Sequence, residues 1–301
     1  MITPNKLEKG DKIGIIAPAR KIKMCEIEAS IKVFQKWGLR VELSENLFEE
    51  YFQYAGTEKQ RVRDIQLMLD NPEIKAIVCA RGGYGTVKIL SDLNFENFIT
   101  HPKWIIGYSD ITALHSYLNK IVKSKTIHGT MPINFPKDCF ENEAIISLKG
   151  LLFGDSFDYK LKDHSYNRMG EVEGELVGGN LSVLYSLSGT NYDLDTRGKI
   201  LVIEDLDEYL YHIDRMMMNL KYAGKLKNLK GLIVGGMTEM NDNIVPYGRT
   251  AYEIIADAIK EYTYPVCFNF PVGHIENNMA LILGAKINLK VCEKEVLISY
   301  S

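Results

Sequence analysis

The 301-residue chain has little cysteine. Its five thiols, Cys25, Cys79, Cys139, Cys267 and Cys292, are scattered and odd in number, and none forms a Cys-x-x-Cys pair. This pattern argues against a disulfide framework and a thiolate metal site, and fits a reducing compartment. Excess positive charge is missing too. Lys and Arg number 36 against 39 Asp and Glu, a net charge of -3, so the chain lacks the basic footprint of a nucleic-acid binder. No apolar run is long enough to cross a bilayer. The stretch from Met1 to Asp11 lacks the apolar segment of a secretory signal. No internal repeat or low-complexity segment stands out. The remainder is 46% hydrophobic and 25% charged, an ordinary composition for a chain that buries a large core. The expectation is a cytoplasmic protein without nucleic-acid or membrane partners.

Hydrophobic patterning supplies the architecture. Lys12 to Ala17 reads as a strand, Ile27, Ile31 and Phe34 as a helix face, and Val41 to Leu43 as a second strand. Val62, Ile65 and Leu69 mark a helix that ends near Asn71 and Pro72. Ala76 to Ala80 is a continuous apolar run of the kind buried on both faces of a parallel sheet. Val87 to Leu93 reads as helical, and Lys125 to Gly129 as another strand. Strands alternating with helices through residue 130 predict a parallel α/β sheet. Pro132, Pro136, Gly154 and the polar run from Lys160 to Arg168 interrupt that rhythm, with Ile145 to Leu152 a candidate short helix. The expected organisation is an N-terminal α/β domain over 1–135, a linker over 136–169 and a C-terminal mixed β/α domain over 170–301. In the latter, strands are expected at 170–180, 199–205 and 231–237. Helices are expected at 181–187, along Ile213, Met216, Met217 and Leu220, and along Ile254, Ile255, Ala258 and Ile259, with short strands after Val266.

One stretch organises the chain chemically. Lys103 to Ile106 is apolar enough for a buried strand, and Ile111, Leu114, Leu118 and Ile121 then recur at helical spacing. Ser109 stands at the joint, where a sharp strand-to-helix turn would present its hydroxyl, with unpaired amides of the helix start beside it. An ordinary helix cap would use the same residue types. The Gly-x-Ser-x-Gly elbow is only half matched, because Ile111 stands where the second glycine would be.

Four loops follow strands where parallel sheets bind ligands: Arg81 to Gly85, Ser109-Asp110, Glu204-Asp205 and Gly273-His274. The first lacks the spacing and the lysine of a phosphate loop; its glycines suit close approach of backbone to a ligand, or a plain tight turn. Glu204 and Asp205 end an apolar strand, either as acids that favour a helix start or as groups that orient a base. His274 is the histidine placed to act as a general base. His128, also at a strand end, is its strongest rival. His115 lies on the helix after Ser109, and His101, His164 and His212 read as surface residues.

Taken together, these pieces resemble the LD-carboxypeptidase family, which includes muramoyl-tetrapeptide carboxypeptidases and microcin C immunity peptidases. The motifs are Gly14-Ile15-Ile16-Ala17-Pro18-Ala19, Ala80-Arg81-Gly82-Gly83-Tyr84-Gly85, Ile106-Gly107-Tyr108-Ser109-Asp110-Ile111-Thr112, Gly178-Gly179-Asn180-Leu181, Ile203-Glu204-Asp205 and Pro271-Val272-Gly273-His274. They fall in the family order over nearly the whole length. The resemblance implies a serine peptidase with Ser109 as nucleophile, His274 as base and Glu204 as the acid that orients it. These would meet in a cleft between an N-terminal and a C-terminal domain. It implies a cytosolic homodimer that needs no metal or other cofactor. Its implied substrate is the murein tetrapeptide, or a related peptide, from which the terminal D-Ala is removed during wall-peptide recycling. The oxyanion would meet the backbone N–H of Asp110 and one from Gly82 or Gly83, with Arg81, Tyr84 and Asp205 as candidates to contact substrate. Thr130, in His128-Gly129-Thr130-Met131, departs from the proline expected there. No long insertion of the kind that covers a nucleotide in the microcin C peptidases is evident. The rival readings are such an immunity peptidase, an α/β-hydrolase esterase with an HGGG-type loop, and a two-lobed peptide-binding protein without chemistry.

Overall fold

A computed structural model describes residues 1–137, 142–155 and 158–300. Its strands, in chain order, are β1 (Lys12–Ile16), β2 (Arg40–Leu43), β3 (Ile74–Cys79), β4 (Trp104–Gly107), β5 (Thr126–His128), β6 (Tyr159–Lys162), β7 (Gly170–Asn180), β8 (Ile200–Leu206), β9 (Gly231–Thr238), β10 (Val266–Cys267), β11 (Leu281–Leu283), β12 (Lys286–Val291) and β13 (Glu295–Tyr300). The chain divides into two compact units. One comprises Met1–Asp155 with Met279–Ile282, the other Ser156–Asn278 with Leu283–Ser301.

The first sheet runs β11-β5-β4-β3-β1-β2, with β1 to β5 joined by parallel pairings. Its apolar strands are buried on both faces, as helices on either side require: Ile13, Ile15, Ile77, Val78, Ile105 and Ile106 are all at most 1% exposed. Strand order reverses beside β1, between β1 and β3. The loops after those strands therefore diverge and leave room at their carboxyl ends. Helix Glu58–Asp70 starts with a capping box in which Thr57 and Gln60 bond each other's backbone N–H. Its far end is held by Lys103, a fully buried residue just before β4 whose Nζ donates to the carbonyls of Met68, Leu69 and Asn71 at 3.0, 2.8 and 2.8 Å. Burial pushes that ammonium down to about 8. Cation and carbonyl end of a helix dipole meet there.

The second sheet is mixed and runs β10-β9-β8-β7-β12-β13-β6. β7 to β10 are parallel, while β12, β13 and β6 are antiparallel. β7 alternates half-buried and exposed residues over Gly170–Glu173 where it pairs with β12, then is buried throughout from Leu176 to Asn180. Helices Leu210–Tyr222 and Ala251–Ala258 lay Ile213, Met216, Met217, Leu220, Ile254 and Ile255 on a core that includes Leu201, Ile203, Leu232 and Val234.

Several expectations need correction. Val87 to Leu93 forms two short 3-10 turns, Thr86–Lys88 and Leu90–Asp92, instead of a helix. The helix after Ser109 is broken into a 3-10 turn, an α-helix over Thr112–Tyr117 and a π-turn over Leu118–Val122, and Ile121 is 48% exposed. The stretch 136–169, expected as a linker with a short helix, carries that helix as Glu143–Phe153 but also strand β6, although residues 138–141 and 156–157 lie outside the described set. Glu204 and Asp205 lie within β8, short of its end. Among the described residues Cys25, Cys79, Cys267 and Cys292 are free thiols; Cys139 lies outside them.

Candidate active site

In the first unit, β4 delivers the chain to a sharp turn. Tyr108 is extended, with φ -150°, and Ser109 then turns into the left-handed region with φ 63°. A residue with a Cβ in that region costs about 1–3 kcal/mol, which the packing around it must offset. The packing is visible. A Cβ on Gly107 would meet Ile111 Cγ1 at 2.8 Å, so Gly107 makes the room that lets Ile111 close over the turn. The Gly107 carbonyl accepts bonds from Gly129 N–H at 3.1 Å and from His115 Nε2–H at 2.9 Å. His115 and His128 are both fully buried, with ring centres 6.5 Å apart, and His128 lies 5.9 Å from the Tyr108 ring. Burial pushes the pKa of His115 down to about 3, so it stays a neutral donor. Thr130, two residues past His128, is buried as well.

The glycine loop after β3 meets this turn. A Cβ on Gly82 would lie 3.0 Å from Ser109 Cβ, 3.2 Å from Ser109 Oγ and 3.4 Å from Asp110 N. Gly82 thus allows backbone to approach the hydroxyl more closely than any side chain would permit. Gly83 has φ 111° and carries the stem of Arg20 across it. Arg81 is half-buried, donates to the Lys21 carbonyl at 3.3 Å and stands 4.0 Å from a Glu26 oxygen, while Tyr84 is 51% exposed.

In the second unit, Glu204 and His274 form a pair. His274 Nδ1 lies 2.7 Å from Glu204 Oε2, and the His274 backbone N–H donates to the same oxygen at 3.2 Å. A carboxylate can only accept, so Nδ1 carries the hydrogen. The glutamate side chain is fully buried and the histidine side chain 15% exposed. Burial alone would lower the histidine pKa, but the bond to Glu204 and its charge outweigh that and raise it. The loop is built for this contact. Gly273 has φ 101°, and a Cβ there would lie 2.4 Å from Glu204 Oε2, so a side chain is excluded by both conformation and space. Asn278 Oδ1 accepts the Gly273 N–H at 2.8 Å, and Thr238 Oγ1 donates to the His274 carbonyl at 2.9 Å. Pairing of β8 with β9 shifts register between Ile203 and Asp205, opposite Gly235 and Gly236. Such bulges re-aim side chains beside functional sites.

Asp205 is 2% exposed and accepts from Asn180 Nδ2, Ser182 N–H and Leu206 N–H, each at 2.9 Å. Burial and the adjacent Glu204 charge push its carboxyl up to about 7. Those bonds tie β8 to the start of helix Leu181–Ser186. His164 stacks on Phe268, and His212 pairs with Glu208 at 2.6 Å; both are half-buried. His101 is exposed. Among the described residues no group of three His, Cys, Asp or Glu side chains could hold a metal ion. Sequence reasoning did not single out Gly235, Gly236, Thr238 or Asn278. Paired glycines inside a strand pattern were the available signal.

A strained hydroxyl beside backbone amides in one unit, and a histidine held in one tautomer by a buried acid in the other, are each the kind of group that serine hydrolases use. Comparison with known proteins agrees. The model of the LD-carboxypeptidase N-terminal domain matches residues 13–129, and that of the C-terminal domain residues 173–289. A probable murein peptide carboxypeptidase of Bacillus subtilis is 35% identical over 98% of this chain and 93% of its own. The crystal structure of a muramoyltetrapeptide carboxypeptidase from Oxalobacter formigenes superposes with a TM-score of 0.88 at 26% identity, covering 96% of this chain and 98% of that one. The microcin C7 self immunity protein MccF shares the fold, with a TM-score of 0.90 at 23% identity over 100% and 99% of the two chains. Motif order, domain models and full-length likeness converge, and the chain belongs to the LD-carboxypeptidase family of serine peptidases.

Proposed function

We propose that this protein removes the terminal D-Ala from murein tetrapeptides by acyl transfer through Ser109, His274 and Glu204. Ser109 Oγ attacks the carbonyl that precedes D-Ala while His274 takes its proton. Glu204 fixes the imidazole tautomer and stabilises the imidazolium. The tetrahedral oxyanion is met by the Asp110 N–H and an N–H of Gly82 or Gly83, each donor worth about 3 kcal/mol at the transition state. His274 then protonates the departing D-Ala nitrogen, and water attacks the acyl-enzyme by the same route in reverse. Arg81 and Tyr84 are the side chains of the glycine loop available to contact the peptide.

The observation that carries this reading is the bond between His274 Nδ1 and the buried Glu204, because it leaves the other ring nitrogen unprotonated and able to accept a proton. The names of the relatives support the substrate class. The resemblance also supports a cytoplasmic homodimer active in wall-peptide recycling, which light scattering of the purified enzyme and cell fractionation would check. The decisive experiment incubates the enzyme with diaminopimelate and lysine tetrapeptides and measures free D-alanine. Release is expected from wild type, with Ser109→Ala lowering kcat by about 10⁴-fold or more in a protein that still folds. Near-normal turnover by that variant would remove Ser109 from the scheme. A fluorophosphonate label on Ser109 would separate an enzyme from a peptide-binding protein.

A further inference from the structure

Two buried charges outside the triad converge on one peptide plane of the glycine loop. Asp110 follows the nucleophile and is 4% exposed. Its Oδ2 accepts the Thr86 N–H at 2.9 Å. Arg61, on helix Glu58–Asp70, is 2% exposed. Its Nη1 donates to the Gly85 carbonyl at 3.1 Å and to the Pro18 carbonyl at 2.6 Å, and its guanidinium lies 4.9 Å from the centre of the Tyr54 ring. The Gly85 carbonyl and the Thr86 N–H are the two ends of a single planar peptide unit. The cation therefore holds one end and the anion the other, and the plane cannot rotate without breaking a buried charge-assisted bond. Gly85 has φ 138°, and a Cβ there would come within 2.8 Å of Arg61 Nη1, so the grip also requires glycine.

Burying two charges is expensive unless each is well bonded, and apolar residues of the same size would stabilise the fold as well or better. The arrangement thus calls for a reason beyond stability. The gripped peptide ends the glycine loop that starts at Arg81, and Gly82 near the other end of that loop packs on Ser109 Oγ and Asp110 N. We propose that the Asp110 carboxylate and the Arg61 guanidinium are positioning groups that fix the glycine loop against the nucleophile and so hold the oxyanion donors on target. The carboxylate acts as an acceptor here and transfers no proton. This role rests on Ser109 being the nucleophile.

The test follows labelling of Ser109 by a fluorophosphonate, together with kcat and KM for D-alanine release, in wild type, Asp110→Ala, Asp110→Asn and Arg61→Lys. A misplaced loop should slow Asp110→Ala labelling and kcat by about 10–100-fold while KM moves far less. Asp110→Asn keeps an acceptor for the Thr86 N–H and should recover much of that loss. Arg61→Lys should slow labelling in the same direction, and combined with Asp110→Asn should cost less than the product of the two, since both act on one peptide. Should Asp110→Ala fail to fold, the Asp110→Asn and Arg61→Lys pair still carries the test. Wild-type labelling rates in Asp110→Ala, an Asn variant as slow as Ala, or strictly multiplicative effects would overturn the proposal. A wild type that labels at Ser109 yet releases no D-alanine overturns the substrate reading alone, and the grip is then judged on labelling. A wild type that does not label at Ser109 overturns both.

Discussion

His274 shows how opposing effects set the protonation of one side chain. Burial favours the neutral ring, and Glu204 favours the charged one; the acid prevails and the pKa rises above the ordinary 6.5. Two consequences differ in sign. As a base the ring must be neutral, so kcat/KM should climb with pH along a limb centred above 6.5. Glu204→Gln should lower the maximum and move that limb to lower pH, because the raising influence is gone. A limb at or below 6.5 in wild type, or one that Glu204→Gln leaves in place, would count against the pair. For stability the order reverses. A raised folded-state pKa contributes stability that is fully present below the unfolded value and is lost as pH rises through the folded one. The pair thus stabilises the fold on the acid side of the range where it is expected to work. Ser109 teaches a related lesson. Ile111 in place of a second glycine made the elbow look incomplete in sequence, yet Gly107 supplies the space that Ile111 fills.

Among elements, the central strands of both sheets were readable because continuous apolar runs and β-rich composition have few other uses, whereas β6, an edge strand in a polar run, was not. The failures have physical causes. Val87 to Leu93 carries the apolar spacing of a helix, but its N–H groups close onto carbonyls three residues back, as Lys88 on Gly85 and Asp92 on Ile89, and the chain forms two 3-10 turns. Leu181 to Leu187 was readable as a helix start because Asn180 caps it, accepting the Val183 N–H at 3.1 Å. Which acid of Glu204-Asp205 faces the histidine was not readable from periodicity, since side-chain alternation puts both possibilities one residue apart; family likeness supplied Glu204. The bulge opposite Gly235 and Gly236 left only the paired glycines inside the strand pattern as a signal. It makes a prediction at this scale. A Cβ at Gly235 would meet Val272 Cγ1 and the Val272 carbonyl, each at 2.6 Å, and Glu204 Cβ at 3.1 Å. Gly235→Ala should therefore cost about 1–3 kcal/mol by overpacking. It should also disturb the loop that carries His274. Urea unfolding checks the first, and the NMR signal of the His274 Nδ1 proton checks the second. An unchanged signal would mean that the bulge only accommodates packing.

For the molecule as a whole, the C-terminal segment is the part that least resembles a simple succession of domains. A division into 1–135, 136–169 and 170–301 follows composition, yet residues 279–282 belong with the first unit, where β11 flanks β5. Ala280 N–H donates to Ser147 Oγ at 2.9 Å, 133 residues away in sequence. The chain then returns to the second sheet as β12 and β13. No local pattern in a strand of three residues announces such a partner. A chain cut after Asn278 should accordingly lose amide protection in both sheets: at β5 in the first, and at β6 and the β12-facing half of β7 in the second. Hydrogen exchange would report this, and loss confined to the second sheet would argue that β11 contributes little.

The position of β11 also governs timing. A ribosome reaches residue 281 roughly 150 residues after it has completed β5, which at ~5–20 residues per second is on the order of ten seconds. Throughout that interval the nascent first sheet carries β5 as a bare edge, and Gly129, against which Ala280 will pack at 3.1 Å from an added Cβ, has no such neighbour. The hydroxyl of Ser109 is thus translated early within a lobe whose last strand is made late.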